Sequence, residues 1–174
     1  AEVARARYVS EEPPSITLFT AVRKKGGNGA HSGIMINGSQ RIMYDPAGTW
    51  WHPTVPVQND VHFGITPRMK AFYIDYHARE TYDVIEQRVP VSAEVAEIAI
   101  RRALAQGPSP KALCSNSTSS ILRDVPGFGS VSSTVFPGRL MREFRNLPGA
   151  TEKLHIDGDP ANNTGILLIQ KGQT

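Results

Sequence analysis

The stretch "AHSGIMINGSQRIMYD", residues 30–45, constrains the fold of this 174-residue chain more than any other. Two strand-forming runs, 30–36 and 40–45, flank Asn37-Gly38, a pair that tolerates positive φ and marks a tight turn. An antiparallel hairpin follows. Side chains alternate across a strand, so His31 shares a face with Met43 and Asp45, which the returning strand brings near its level. Such a hairpin needs further strands beside it. "SITLFTAV" (15–22) alternates Ile16 and Leu18 against Thr17 and Phe19, and "TYDVIEQRV" (81–89) has the same character.

Helical signals complete the pattern. Thr66 and Pro67 open a helix over 66–78 that sets Met69, Phe72, Tyr73 and Tyr76 on one face. Ser92 caps a second helix over 92–107, with Glu94 at its positive end, Arg101 and Arg102 towards its negative end, and Gly107 as its stop. A short helix runs from about Lys111 to Arg123, and "PGRLMREF" (137–144) begins another. Residues 46–64, rich in Pro and Gly, read as a long irregular surface segment. The tail "LHIDGDPANNTGILLIQKG" reads as a hairpin with an apolar final strand. The expectation is an α+β fold in one domain over 15–174 with a C-terminal hairpin extension. Residues 1–14 form a polar, flexible lead-in, the tether of a removed signal or membrane anchor.

Hydrophobic residues at 40% and charged residues at 20% suit a packed core rather than a disordered chain. Nineteen Lys+Arg against sixteen Asp+Glu leave a formal charge of +3, and the one dense basic cluster, Arg23, Lys24 and Lys25, runs into Gly26-Gly27. That cluster reads as a solvated turn, so no specific nucleic-acid partner is expected. No apolar run approaches the ~20 residues that span a bilayer, so no transmembrane segment is expected. Asp60 with His62, and Asp157 with Asp159 and Asn162, each fall short of a full ligand set, and no metal is expected.

Cys114 is the only cysteine, which excludes an intrachain disulfide and a multi-thiolate zinc site. It stands among Ser115, Asn116, Ser117 and Thr118 where a short helix begins. Unpaired N–H groups and partial positive charge at a helix start favour thiolate over thiol. Those amides can also receive an oxyanion when the sulfur attacks a carbonyl. Small polar neighbours such as Ser115 and Asn116 leave room for substrate. A nucleophile needs a base and the base an orienting acceptor, and the hairpin offers His31 and Asp45. Trp50, Trp51 and His52, in the long loop beside this set, are candidates to line a substrate groove or hold an acyl chain.

"HSGIMINGSQRIMYDPAG" resembles the histidine-bearing hairpin of the NlpC-type peptidases and the lecithin–retinol acyltransferase group. In the circularly permuted members of that papain-like superfamily the histidine comes first and the cysteine follows late, at a helix N-terminus, as His31 and Cys114 do here. The resemblance covers about Ile16 to Arg123. It implies a permuted papain-like fold, an antiparallel sheet packed against a cysteine-bearing helix and two to three further helices. It also implies cysteine-dependent acyl transfer without cofactor, on an amide or ester of the bacterial cell envelope. A periplasmic place is implied too, or the outer face of the inner membrane, with a lipid anchor outside this chain. Many relatives carry a second histidine on the returning strand, where this chain has Met43. The alternative is therefore a non-catalytic envelope lipoprotein or accessory subunit that uses the fold to bind a peptide, lipid or membrane-protein partner.

Overall fold

The computed structural model describes residues 1–173. Seven strands form one antiparallel sheet: β1 (Ser15–Arg23), β2 (Gly29–Asn37), β3 (Arg41–Tyr44), β4 (Val57–Gln58), β5 (Val61–Phe63), β6 (Tyr82–Pro90) and β7 (Thr151–His155), in the order β4-β5-β3-β2-β1-β6-β7. Among the described residues there are six helices: α1 (Glu2–Arg5), α2 (Pro67–His77), α3 (Ala93–Gln106), α4 (Cys114–Arg123), α5 (Pro137–Arg145) and α6 (Asn163–Lys171). The fold is α+β.

Alternation along the central strands builds a core on each face of the sheet. Ile16, Leu18, Ile34, Ile36, Ile42 and Tyr44 point to one side, where α3, α4 and α5 cover them with Ala99, Ile121 and Leu140. Phe19, Met35, Met43 and Val84 point to the other, beneath Met69, Tyr73 and Tyr76 of α2, with Leu167 of α6 packed alongside. Thr66 and Ser92 cap α2 and α3 as their sequences direct, accepting from the amides of Met69 and Val95.

The β2–β3 hairpin is present with a shifted register. Asn37 pairs with Arg41 and Ile34 with Tyr44, so three residues, Gly38 to Gln40, make the turn. Asn37 ends a strand instead of turning, because its buried amide donates to the carbonyls of Glu12 and Pro13 at 3.1 Å each. A two-residue slip preserves facing, whereas a one-residue slip would have sent Asp45 to the opposite side of the sheet. His31 and Asp45 therefore share a face, with Asp45 one step beyond the last pair, beside Gly33.

Three expectations are corrected. Segment 46–64 is not irregular surface. Trp50, His52, Val55, Val61, His62 and Phe63 are buried, and Asn59 and Asp60, with φ of 50° and 65°, turn β4 into β5. The tail is not a hairpin. β7 pairs with β6 instead, and 163–171 is helical because Asn162 caps it and buried Gln170 anchors its last turn. The helices outnumber the two to three expected beside the cysteine helix. As for residues 1–14, buried Arg41 ties them to the body. Its side chain meets Glu12 at 3.1 Å and lies over the Tyr8 ring, and its amide donates to the Tyr8 carbonyl.

Candidate active site

β2 pairs with β3 only from Ile34 to Asn37, so on that side Gly29 to Gly33 have no strand partner. The first turn of α4 occupies this notch. Ser115 Oγ lies 2.9 Å from Ser32 Oγ and 3.8 Å from the Cys114 sulfur, which sits close enough to the Ser32 amide for that amide to favour its ionised form. The thiol and the His31 imidazole lie close enough that each shifts the other's ionisation. Cys114 is 7% exposed. Approach to α4 runs through Ala112 at φ 70°, which costs a non-glycine residue about 1 kcal/mol. Leu113 in the N-cap position supplies no side-chain acceptor, so the amides of the first turn are not capped by a side chain.

His31 Nε2 lies 2.5 Å from Asp45 Oδ1. With Nε2–H donated there, Nδ1 is the ring atom left to exchange a proton with sulfur. Asp45 is buried, and its Oδ1 also accepts from the Tyr73 hydroxyl at 2.9 Å. Two glycines create the space. A Cβ on Gly33 would stand 2.5 Å from the Tyr73 hydroxyl, and one on Gly48 would stand 1.8 Å from Asp45 Oδ2. His77, on the same helix as Tyr73, stacks parallel to His31 with centroids 5.6 Å apart and hydrogen-bonds the Tyr73 carbonyl through Nδ1 at 2.8 Å.

Burial alone would push Asp45 up and His31 down. Their mutual attraction wins, holding Asp45 well below the ordinary carboxyl range and raising His31 to about 10. Burial likewise opposes ionisation of Cys114, but the adjacent imidazolium and the Ser32 amide bring its pKa below the ordinary thiol value. His77 lacks such a counter-charge at hydrogen-bond distance, and burial lowers it to about 4. The arrangement favours a thiolate–imidazolium pair above a buried carboxylate, with a neutral histidine stacked on it.

A cavity of about 300 Å³ opens beside the imidazole, walled by His31, His77, Tyr76, Thr49, Tyr82 and Arg23 among others. His31, Asp45 and His77 also offer one ligand atom each within 4.8 Å of one another. Ligation would have to break the 2.5 Å His31–Asp45 bond, because two ligands about 2 Å from a tetrahedral zinc stand roughly 3.3 Å apart. Asp75, Asp157 and Asp159 gather elsewhere, but Arg79 lies among them, 3.1 Å from Asp75 and 3.5 Å from Asp159.

Of the residues singled out in the sequence, Cys114, His31 and Asp45 come together. Others do not reach the cavity. Trp50 is 1% exposed and donates Nε1–H to Gln170 Oε1 at 3.0 Å, while His52, also buried, accepts the Thr54 amide at Nδ1 and donates to the last turn of α6 at 2.9 Å. Both are anchors for α6 rather than groove walls. Trp51 is exposed and lies under the Lys171 ammonium. Ser115 and Asn116 do not leave open room, since Ser115 bonds Ser32 and Asn116 accepts from Ser133 at 3.3 Å. Small hydroxyls here let α4 dock closely. Tyr73 and His77 were legible only as helix positions, although their i, i+4 spacing places both on the face that meets the hairpin. Comparison with family models, curated proteins and solved structures finds no match for the chain.

Proposed function

We propose that this protein is a cysteine-dependent acyl-transfer enzyme with a circularly permuted papain-like arrangement. The observation that carries the reading is the line of groups Cys114, His31 and Asp45, with the sulfur at a helix start and a buried carboxylate holding the ring. In the reaction, the thiolate attacks the carbonyl of an amide or ester, and the first-turn amides of α4 stabilise the oxyanion. The leaving group departs with a proton from His31 Nδ1, and a thioester remains on Cys114. Water, or an acceptor amine or hydroxyl, gives its proton to His31 and releases the acyl group. Asp45 fulfils the orienting role that relatives assign to a histidine at the place of Met43.

The substrate class that accompanies this reading is an acyl amide or ester of the bacterial cell envelope, met in the periplasm or at the outer face of the inner membrane. Among the described residues no helix is long and apolar enough to cross a membrane. A second reading, a binding module, draws on the small exposure of the sulfur, 7%.

Alkylation of the native thiol separates the two. An enzyme retains iodoacetamide reactivity down to near pH 6 and loses it in His31→Ala, where burial no longer meets the imidazolium that chiefly opposes it. A thiol that reacts only after denaturation, or only above about pH 8.5, establishes the module instead.

A further inference from the structure

His31 stands partly exposed at the wall of the cavity, so its ring has room to turn. The groups that use its nitrogens meet it at the edge: Asp45 Oδ1 takes Nε2, and Nδ1 is left for the sulfur. Edge contacts hold a histidine only loosely against rotation about its Cβ–Cγ bond, a torsion with a broad minimum. One aromatic neighbour meets the face instead. The His77 ring lies parallel to that of His31 within 1°, with centroids 5.6 Å apart, an offset stack. Its other ring contacts are inclined, at 48° to Tyr73 and 84° to Tyr76.

The helix that carries His77 also fixes its proton. A backbone carbonyl can only accept, so the 2.8 Å contact with the Tyr73 carbonyl puts the proton of the neutral ring on His77 Nδ1 and leaves Nε2 bare. Tyr73 in turn donates its hydroxyl to Asp45 Oδ1. A single turn of α2 therefore grips the carboxylate through Tyr73 and faces the imidazole through His77. Charge decides what the stack is worth. Around His77 stand His31 and Asp45 of the hairpin, Tyr73 and Tyr76 of α2, and, on the wall of the same cavity, Arg23 of β1 and Tyr82 of β6; no Asp or Glu lines that cavity. Burial outweighs the pull of Asp45 and lowers His77 to about 4, whereas His31 is raised to about 10. Between those values a cation lies against a neutral aromatic ring, inside the ~6 Å over which such contacts attract.

We infer that His77 is a positioning residue for the base: its neutral ring, stacked on the His31 imidazolium, stabilises that cation and holds it in the plane that serves Asp45 and Cys114. This deepens the acyl-transfer reading and rests on its assignment of His31 as the base.

Ring nitrogen shifts of His31, followed by NMR titration of the full chain, read the contact directly. His77→Leu fills the space without a π face and is expected to lower the His31 pKa by about one pH unit. His77→Phe restores the flat face without the bond to the Tyr73 carbonyl, and is expected to return that pKa to near its unmodified value. A merely structural role predicts otherwise: both variants lower the urea midpoint and leave the titration of His31 in place. Should His77→Leu not fold, His77→Gln, whose amide can still donate to the Tyr73 carbonyl, takes its place with the same expectation. A His31 pKa unmoved when the ring is removed, or lowered as far by His77→Phe, overturns the inference. A Cys114 thiol inert to iodoacetamide near pH 6 in the unmodified protein overturns the acyl-transfer reading instead, and the titration of His31 still decides whether His77 holds the imidazolium.

Discussion

Replacing Asp45 by Asn removes a charge while preserving shape, and it tests the electrostatic chain that ends at the sulfur. The attraction of Asp45 is the strongest influence raising His31, and the contribution from Cys114 is smaller. Without the carboxylate, burial dominates and the imidazole becomes neutral below its ordinary range. Cys114 then loses its neighbouring cation and returns to at least the ordinary thiol value. A thiol with a pKa of about 8.5 is only ~0.3% thiolate near pH 6, a deficit of at most some 300-fold against a thiol whose pKa is lowered. The more basic thiolate is intrinsically more nucleophilic by roughly threefold per unit, which restores about one order of magnitude. The net expectation is a roughly tenfold slower alkylation near pH 6, and above about pH 9, where both sulfurs are ionised, the variant overtakes the unmodified protein because its thiolate is the more basic. Iodoacetamide trapping followed by intact mass gives both rates. The same variant reports on stability. The Asp45 contribution is present above the ordinary carboxyl value and lost as pH falls through its lowered native value, while that of His31 is full below about 6.5 and lost as pH rises towards about 10. The urea-measured destabilisation is therefore greatest between about pH 4 and 6.5, near 2 kcal/mol because His31 can reach water. Equal alkylation rates near pH 6 would refute the reasoning, since the carboxylate would then have no hold on the sulfur.

Two further substitutions probe the supports of the site. Gly48→Ala forces a methyl against Asp45 Oδ2, so a loss of about 1–3 kcal/mol in urea unfolding is expected together with slower thiol alkylation near pH 6; an unchanged midpoint would show that the loop yields freely. Gln170→Leu leaves the Trp50 N–H and the Phe72 carbonyl without their partners, so α6 should exchange its amide hydrogens sooner and stability fall by about 1–3 kcal/mol. Thiol reactivity should stay constant there, because none of these groups touches Cys114.

Parts of this arrangement are written in short-range sequence and parts are not. The facing of His31 and Asp45 follows from strand parity, which a two-residue shift in register leaves intact. The starts of α2 and α3 are local chemistry, set by Thr66 and Ser92. The register itself was not local, because Asn37 binds the chain at residues 12 and 13 instead of turning. Nor was the place of Trp50 and His52, whose partners lie in α6, more than a hundred residues away. Apolar "GILLIQ" suits a strand or a helix equally, and Gln170 in the core decided between them. Tyr73 and His77 read as ordinary members of an aromatic helix face until that helix is laid over β2.

The notch that β3 leaves along β2 makes the chemistry a property of the finished molecule. His31 faces the side of the sheet that α2 covers, the body of α4 packs in the core on the other side, and the two meet at this gap in the ladder. A nascent or partly opened chain can hold its hairpin intact and still carry an unactivated sulfur, since the imidazolium reaches it only after more than eighty further residues have folded back. Acid-pH labelling of Cys114 thus counts assembled molecules, and any partner that pries α4 from the sheet would silence the thiol without touching it.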